Sequence, residues 1–598
     1  MTAGRPLIIV RLTPGEALDT EHAIRSASDE TTRRSLGPTR GLAAPLDWAV
    51  RSHWRALALL AGFALLAFLP GFFTIPPVDR DEARFAQSSK QMIESGQYVD
   101  IRFQDEVRYK KPIGIYWLQV AAVKAGEALG VPQARTTIWL YRLPSLAGAV
   151  GAVLATYWAA IAFVGRRAAL LAGLMMASSI LLGVEARLAK TDAALLLACV
   201  GAMGAMGRIY LAACRAPESG RGWAMPALLW TAIAVGVLLK GPLILMFVGL
   251  AAAALSVLDR SFRWLGALRP LGGSAWMLLL VLPWFAAILA KSGGEFFRDS
   301  VGQDMLAKVF SSQEAHGAPP GFYLVLFWVT FWPGSVLAGL AAPKVWEARR
   351  EPAVRFLIAW LVPSWIVFEA VVTKLPHYVL PLYPAVAILI AGMVDRGTLS
   401  KARWMRPGLA GWFVLPAVIA LALPILFIKF ENDLGMVAWP FAAAALMAGL
   451  FAWRLYDVDG PERALLRGAV ASIFLGTAVY AASFPSLPAL FPSTLVARAV
   501  HEAGCADPRL VSTYAYQEPS LVFLLGTRTR FADAIGAADF IGKGPCRFAL
   551  VDARGTRSFI QRADAIGLRY ALVRTIDGFN ISIGRPVSLT LFRSVSTP

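Results

Sequence analysis

Long apolar runs constrain the fold of this chain more than any other feature of its sequence. About thirteen runs approach the roughly 20 residues that a helix needs to cross a bilayer. Only 16% of the residues are charged and 57% are hydrophobic, whereas about a quarter of a soluble domain is charged. The sequence therefore predicts an α-helical polytopic membrane protein with spans near 54–75, 142–164, 168–185, 191–213, 225–239, 241–258, 274–291, 321–342, 354–372, 378–395, 409–429, 435–453 and 465–483.

Basic residues predict the orientation of these spans. The net charge of +19 would suit a nucleic-acid-binding protein if the basic residues formed one patch. They stand instead at the ends of apolar runs, so we expect no nucleic acid partner. With the N-terminus inside, every inner loop carries at least two Lys or Arg, as the positive-inside rule expects. An odd number of spans then places the C-terminus outside.

The chain divides into three predicted parts. Residues 1–50 form a polar, Arg-rich cytoplasmic tail, 51–483 a membrane domain, and 484–598 a periplasmic domain. The outer loop 76–141 is too long for a simple connector, and its sequence predicts two helices lying on the membrane surface. Short β-rich runs near 511, 547, 570 and 587 predict a small C-terminal α/β domain.

Cysteine positions add one prediction about the C-terminal domain. Cys505 and Cys546 both lie in it, and no CxxC metal motif occurs. A location outside the cytoplasm would favour a disulfide between them.

Ionisable residues near the outer ends of spans are candidates for function, because charges there are costly to keep. They lie at 79–84, 108–112, 185–192 and 374–378, and His316 lies in a further outer loop. Carboxylates can serve as general bases or cation ligands, and lysine binds phosphate. The alternatives are a solvated loop, interfacial anchors and a helix cap.

Together these clusters favour group transfer from a lipid that carries phosphate. The sequence has no Walker A motif, no zinc-hydrolase motif and no GxSxG elbow where one could act, so the donor must arrive already activated. His316 and His377 could bind a metal only if the fold brings them together.

At these residues the sequence resembles the bacterial lipid-linked-sugar glycosyltransferases of the GT-C fold. It is most similar to the group that transfers aminoarabinose to lipid A, and more distantly to protein O-mannosyltransferases. The resemblance implies about thirteen spans, surface helices in the first outer loop and a periplasmic α/β domain. The matching stretches are RDEARFAQSSKQM (80–92), RYKKPIGIYWLQ (108–119), YRLPSLAGAV (141–150), ARLAKTDAALLL (186–197), HGAPPGFY (316–323), TKLPHYVLPLYP (373–384) and GFNISIGR (578–585).

The resemblance also implies catalytic roles for two carboxylates. Asp81 matches the acidic residue proposed as the general base that activates the acceptor. Asp192 matches a second acidic position, near the acceptor or a bound cation. Supporting roles are expected for Glu82, His316 and His377.

A second group is implied to hold the phosphate of the donor. Lys111 matches the lysine of the family's KP motif, and Tyr378 the tyrosine of its KLPxY motif. Arg84 and Lys374 would help to neutralise the phosphate. Lys110 departs from the family, which has an acidic residue there that helps to hold a metal. This departure weakens the expectation of a lipid A acceptor and of a divalent cation, the one candidate cofactor.

The predicted function is sugar transfer, with inversion, from a polyprenyl-phosphate donor on the outer face of a bacterial inner membrane. The acceptor would be lipid A, another envelope glycolipid or a protein. Two alternatives are a transporter or lipid flippase, and an envelope scaffold. Thirteen spans do not divide into two equal halves and the charges lie at one face, so the sequence favours the enzyme over a transporter.

Overall fold

The computed structural model describes residues 40–215, 222–300 and 317–595. His316, a predicted supporting residue, lies outside the described residues. The described chain divides into two units, with the boundary between Ala56 and Leu57. Every feature of the site and of the C-terminal domain belongs to the second unit.

The described chain is mostly α-helical. Its first ten helices are α1 (Arg40–Val50), α2 (His53–Phe68), α3 (Asp81–Ser95), α4 (Gly114–Ala128), α5 (Ile138–Ala160), α6 (Arg166–Ser178), α7 (Ile180–Glu185), α8 (Asp192–Arg215), α9 (Ala224–Lys240) and α10 (Leu243–Leu258). Apart from a single helical turn at Glu295–Phe297, the next eight are α11 (Pro270–Ser292), α12 (Phe322–Thr330), α13 (Ser335–Glu347), α14 (Pro352–Ala370), α15 (Tyr383–Asp395), α16 (Gly411–Glu431), α17 (Trp439–Arg454) and α18 (Tyr456–Gly476).

Among the described residues, eight helical segments are long and apolar enough to cross a membrane, and three shorter apolar helices accompany them. This confirms a helical membrane protein. Two predicted spans are broken. The run 168–185 is divided where Ser179 adopts an extended backbone, and 321–342 is interrupted between α12 and α13 around Pro333, which cannot donate a backbone hydrogen bond. The count of thirteen spans stays a prediction.

Burial separates central helices from those that face lipid. In α8 and in the segment Pro376–Asp395, 83% and 89% of the most apolar stretch is buried inside the protein. In Arg403–Glu431 the share is 17%, although this segment is the most apolar of the eight. A helix this apolar and this exposed needs lipid around it. The ends of the buried helices consequently lie deep in the protein, where they can form a site.

The loop 76–141 contains the two predicted helices, α3 and α4. A two-stranded hairpin, β1 (Arg102–Phe103) and β2 (Glu106–Val107), lies between them. Helix α3 ends at Ser95 and is capped by Gly96, whose φ of 68° is in the left-handed region that favours glycine. Aromatic and aliphatic residues of both helices share one buried cluster that includes Phe85 and Tyr116.

The C-terminal domain is the predicted small α/β fold. Its strands are β3 (Arg509–Thr513), β4 (Arg530–Ala532), β5 (Arg547–Asp552), β6 (Tyr570–Asn580) and β7 (Arg585–Ser594), in the sheet order β4-β3-β5-β7-β6. Strand β3 runs parallel to β4 and β5, whereas β7 is antiparallel to β5 and β6. Its helices are α19 (Pro492–Glu502), α20 (Pro519–Leu525), α21 (Ala534–Ile541) and α22 (Thr556–Ala565).

Helix α20 joins this domain to the first long loop. Lys90 of α3 donates from Nζ to the carbonyl of Phe523 over 2.8 Å, and Gln87 Nε2 donates to Thr527 Oγ1 over 2.8 Å. Phe523 is fully buried and packs edge-on against Tyr141 of α5. The C-terminal domain therefore rests on the loop that carries Asp81.

Candidate active site

A buried ion pair shapes the chain around Asp81. Two guanidinium nitrogens of Arg142 donate to the carboxylate of Glu82, with Nε–Oε1 and Nη2–Oε2 distances of 2.8 and 2.9 Å. The same guanidinium donates to the carbonyls of Phe72, Ile75 and Pro76. Arg142 thereby holds the chain that follows α2 against α5.

Glu82 also accepts two backbone hydrogen bonds, from the amides of Val78 and Ala189 at 2.8 and 2.9 Å. Its side chain is 1% exposed, and these contacts are all within the protein. Glu82, predicted as a supporting site residue, is thus placed behind the site, where it ties the loop before α3 to the chain before α8.

Asp81 lies one residue away and faces a cavity of about 470 Å³. The cavity is bounded by the start of α3, the segment 108–111, the α7–α8 connection, the end of α9 and the segment 373–378. Its charged and titratable lining comprises Arg80, Asp81, Arg84, Arg108, Lys110, Lys111, Glu185, Lys190, Asp192, Lys240, His377 and Tyr378. Seven lysines and arginines face three carboxylates there, so the cavity suits an anionic ligand.

Asp192 lies at the centre of a buried polar cluster. It is the first residue of α8, where the helix dipole favours a negative charge. Lys240 Nζ donates to Oδ1, and Lys190 Nζ lies 3.7 Å from Oδ2. His377 Nε2 lies 3.7 Å from Oδ1, and His377 Nδ1 lies 3.7 Å from Oε1 of Glu185.

Asp81 has a different environment. Within the described ranges its carboxylate forms no ion pair and accepts no side-chain or backbone hydrogen bond. Its charge does act on Lys190, which also contacts Glu185 and Asp192. The oxygens of Asp81 are therefore available to a ligand in the cavity.

The predicted phosphate-binding residues divide into two groups. Arg84, Lys111 and Tyr378 all line the cavity, and Lys240 Nζ lies 5.5 Å from the centre of the Tyr378 ring. Lys374 does not line it. Its ammonium donates to the carbonyls of Phe368, Glu369 and Val371, at distances of 3.2, 2.8 and 2.7 Å, and so caps the end of α14.

This placement corrects the prediction for Lys374. The carbonyls at a helix C-terminus need donors, and a lysine a few residues further along can supply them. With its three N–H groups used in this way, Lys374 has none left to offer a phosphate.

The residues that could hold a cation are Glu185, Asp192 and His377, whose ligand atoms lie within 4.8 Å of one another. The contacts that two lysines make with these carboxylates argue against a cation site. Lys190 lies 3.3 Å from Glu185 and bridges to Asp192, which Lys240 also contacts. Two ammonium groups already balance two carboxylates, so the residues present do not fit a divalent cation.

Lys240 was not predicted as a site residue, and Arg108 was predicted only as part of the candidate cluster 108–112, without a role of its own. Lys240 stands in the short break between two apolar runs, where Gly241 has a φ of 70° and Pro242 follows. A lysine between two spans looks like an ordinary loop residue. Arg108 is 8% exposed, and no described residue hydrogen-bonds to its Nε. A buried guanidinium atom without a partner is costly, which is a signal visible only in the structure.

The structure pairs Cys505 with Cys546 as a disulfide, with their Cα atoms 5.6 Å apart. The two cysteines are 41 residues apart in the sequence of the C-terminal domain. Cys199 and Cys214 are free.

The chain is similar to known proteins over long parts of its sequence. Residues 52–292 match the family described as dolichyl-phosphate-mannose-protein mannosyltransferase. A relative from Erwinia tasmaniensis, an undecaprenyl phosphate-alpha-4-amino-4-deoxy-L-arabinose arabinosyl transferase, is 28% identical over 65% of this chain and 72% of its own length. A relative of the same description from Pseudomonas aeruginosa is 28% identical over 57% of this chain and 61% of its own length.

A solved structure supports the fold over a longer range. The crystal structure of ArnT from Cupriavidus metallidurans bound to undecaprenyl phosphate matches with a TM-score of 0.71 and 20% identity. The match covers 89% of this chain and 97% of that protein. The resemblance predicted from the sequence is thereby confirmed at the level of the fold: this chain has the fold of that ArnT structure, and its sequence is similar to the arabinosyl transferases and, over residues 52–292, to the mannosyltransferase family.

Proposed function

We propose that this chain transfers a sugar from a polyprenyl-phosphate donor to an envelope acceptor, on the outer face of a bacterial inner membrane. The undecaprenyl phosphate in the names of its relatives and in the matching crystal structure supports this donor class. The acceptor would be lipid A, another glycolipid or a protein hydroxyl.

One observation carries the proposal. The cavity holds a carboxylate without an ion-pair partner among the described residues, Asp81, together with an excess of lysine and arginine. Sugar transfer from a lipid phosphate needs these two elements: a base for the acceptor and positive charge for the departing phosphate. The cavity also lies where the long loop meets the helix ends, so a donor chain could stay in lipid while its phosphate enters.

In the proposed reaction, the acceptor oxygen attacks the anomeric carbon as its proton passes to Asp81. The bond between that carbon and the phosphate oxygen breaks, and the electron pair leaves with the polyprenyl phosphate. A single displacement of this kind inverts the configuration at the anomeric carbon. No covalent intermediate forms on the protein.

Lys111, Arg84 and Tyr378 are proposed to hold the phosphate. Preorganised cations stabilise charge that grows as the leaving group departs, and this is usually the largest contribution to catalysis. Lys240 and Lys190 add two positive charges to the cavity wall, with Asp192 holding them in place.

The proposed orientation follows from the loop charges. The basic loops favour an N-terminal tail in the cytoplasm and a C-terminal domain in the periplasm. The disulfide between Cys505 and Cys546 supports this placement, because such bonds persist mainly in oxidising compartments.

The test is transfer of a labelled sugar from a synthetic polyprenyl phosphate by purified protein in lipid nanodiscs. Envelope glycolipid and membrane protein fractions serve as acceptors. Asp81→Asn should reduce transfer at least about a hundredfold, because general bases contribute about 10²–10⁴-fold. The matched control is Asp105→Asn, at an exposed carboxylate of the same loop, which should keep the wild-type rate.

Two results would contradict the proposal. Near-normal turnover by Asp81→Asn would remove Asp81 as the base. Movement of the intact lipid across the bilayer without loss of its sugar would instead support a flippase.

A further inference from the structure

The stretch GFNISIGR (578–585) has no role in the reaction described above, although it resembles a family motif. It ends strand β6 and forms the turn into β7. This turn reaches the first long loop. The Arg80 guanidinium donates from Nη2 to the carbonyl of Ser582, and Arg80 directly precedes Asp81.

Asn580 gives the turn a defined shape. Its Oδ1 accepts from the amides of Ser582 and Ile583, at 2.9 and 3.3 Å, and its carbonyl accepts from the amide of Gly584 at 2.9 Å. The residue is 4% exposed. These bonds fix the direction of the Ser582 carbonyl that Arg80 contacts.

Glu518 locks the turn to the rest of the C-terminal domain. Its Oε1 accepts from Asn580 Nδ2 and its Oε2 from Ser582 Oγ, both at 2.8 Å. Glu518 is 7% exposed, and both oxygens are used within the domain. Two residues later, the amide of Ser520 donates to Asp79 Oδ1 at 3.0 Å. The segment from Glu518 to Ser520 therefore holds both the turn and Asp79, the residue that precedes Arg80.

Arg80 has a strained backbone. Its φ of 67° and ψ of −115° are rare for a residue with a side chain. Such a conformation persists only where the surroundings impose it, and such residues cluster at functional sites. Within the helical part of the chain, the amide of Val78 is held by Glu82. Asp79 and Arg80 are held by the C-terminal domain.

We propose that Glu518 and Asn580 are positioning residues, which fix the carboxylate of Asp81 by holding the two residues before it. The C-terminal domain thereby becomes part of the catalytic apparatus without contacting substrate. This inference rests on the proposed function only for the role of Asp81 as the base. The geometric part, that these side chains order the start of α3, stands independently.

The first test needs no substrate. Hydrogen–deuterium exchange of full-length protein in nanodiscs is compared for wild type, Glu518→Ala and Asn580→Ala. Both variants should exchange several times faster over 78–85, while β5 (Arg547–Asp552) keeps its wild-type protection. The matched control is Glu502→Ala, at an exposed carboxylate of the same domain, 3.7 Å from Arg574, which should change neither region.

The second test separates positioning from binding. Displacing a reacting group by about 1 Å can cost up to about a hundredfold in rate. Glu518→Ala should therefore lower kcat at least about tenfold. KM for the donor should stay within about twofold, because Lys111, Arg84 and Tyr378, which are proposed to hold the phosphate, are untouched. Glu518→Gln keeps one of the two acceptor bonds and should recover part of kcat.

Unchanged exchange over 78–85 in both alanine variants would overturn the proposal, as would a raised KM with normal kcat. If an alanine variant also loses protection in β5, the domain itself is destabilised, and the exchange over 78–85 is then compared between wild type and Glu518→Gln, which preserves the size of the side chain. Unchanged exchange over 78–85 in Glu518→Gln, with β5 protected, would overturn the proposal. Absence of any transfer by the wild-type protein would refute the proposed function alone, because the exchange experiment would still report on the positioning.

Discussion

Asp79 should make the contact between the C-terminal domain and the catalytic loop depend on pH. Burial, followed by the nearby charge of Glu518, raises the pKa of Asp79 from 3.8 to about 7. The hydrogen bonds from Ser520 and the charge of Arg84 act in the opposite direction but are smaller. Tyr516 is the other titratable neighbour, and burial keeps its pKa above the usual value, so it stays neutral.

The direction of this pH dependence follows from which state binds the proton more tightly. When the contact opens, Asp79 enters water and its pKa returns to the ordinary value near 3.8. The closed state thus binds the proton more tightly, and the extra stability is lost as the pH rises through about 7. Between pH 6 and pH 8 the free energy of opening should fall by about 1.4 kcal/mol, or about tenfold in the opening equilibrium. This is an upper figure, because Asp79 is only partly shielded from water.

The assay is hydrogen exchange of the peptide that contains Ser520, whose amide donates to Asp79. After correction for the pH dependence of intrinsic exchange, protection should decrease from pH 6 to pH 8. In Asp79→Asn it should be flat, because the amide oxygen still accepts the Ser520 bond but does not titrate. Strand β5 (Arg547–Asp552) serves as the internal reference.

Wild-type protection that is flat between pH 6 and pH 8 would mean that Asp79 stays charged in the closed state. Protection that increases with pH would mean that the carboxylate is stabilised there by a cation. Either result would refute the reasoning from burial.

Three further predictions concern the disulfide, the lysines and metal dependence. Cys505→Ser or Cys546→Ser should destabilise the C-terminal domain by about 2–4 kcal/mol, measured by chemical unfolding. The denatured wild-type protein should show two thiols before reduction and four after it. Lys374→Met should lower the midpoint of thermal unfolding and leave the donor KM within about twofold. Lys111→Met should instead raise the donor KM about tenfold or more, because a hydrogen bond to a charged group contributes about 1.5–3 kcal/mol. Chelation of divalent cations should leave transfer within about twofold of the untreated rate, since ammonium groups already neutralise Asp192; a large loss restored by added cation would contradict this.

The architecture was predictable because its signals are local. Apolar runs of span length and short β-rich runs each depend on neighbouring residues only. Strand β4 (Arg530–Ala532) was missed because three residues at the edge of a sheet leave little pattern. The break at Ser179 was missed for another reason: the run stays apolar across it, so hydropathy shows no interruption.

The site was predictable in part. Asp81, Asp192, Lys111 and Tyr378 all line the cavity, and each had been selected as a charged or polar group beside an apolar run. Lys374 satisfied the same criterion, yet it caps a helix. Sequence shows that a charge is near a span end, but not which partner it meets there.

Tertiary contacts also explain why Asp81 and Glu82, which are adjacent in sequence, have different surroundings: Asp81 lines the cavity and Glu82 pairs with Arg142. Successive residues of a helix point about 100° apart, so one can face a cavity while the other faces the core. Only the position of Arg142, 60 residues later, shows which of the two is buried.

The contacts also distinguish the two carboxylates, for which the resemblance implied a general base at Asp81 and a position near the acceptor or a bound cation at Asp192. The oxygens of Asp192 are engaged by Lys240 and Lys190, so its lone pairs are directed at ammonium groups and are not available for a proton from an acceptor. The oxygens of Asp81 have no such partner among the described residues. A base needs a free lone pair, whereas an anchor for cations needs an engaged one. Asp81 is therefore the better candidate to remove a proton, and Asp192 to keep two positive charges facing a phosphate.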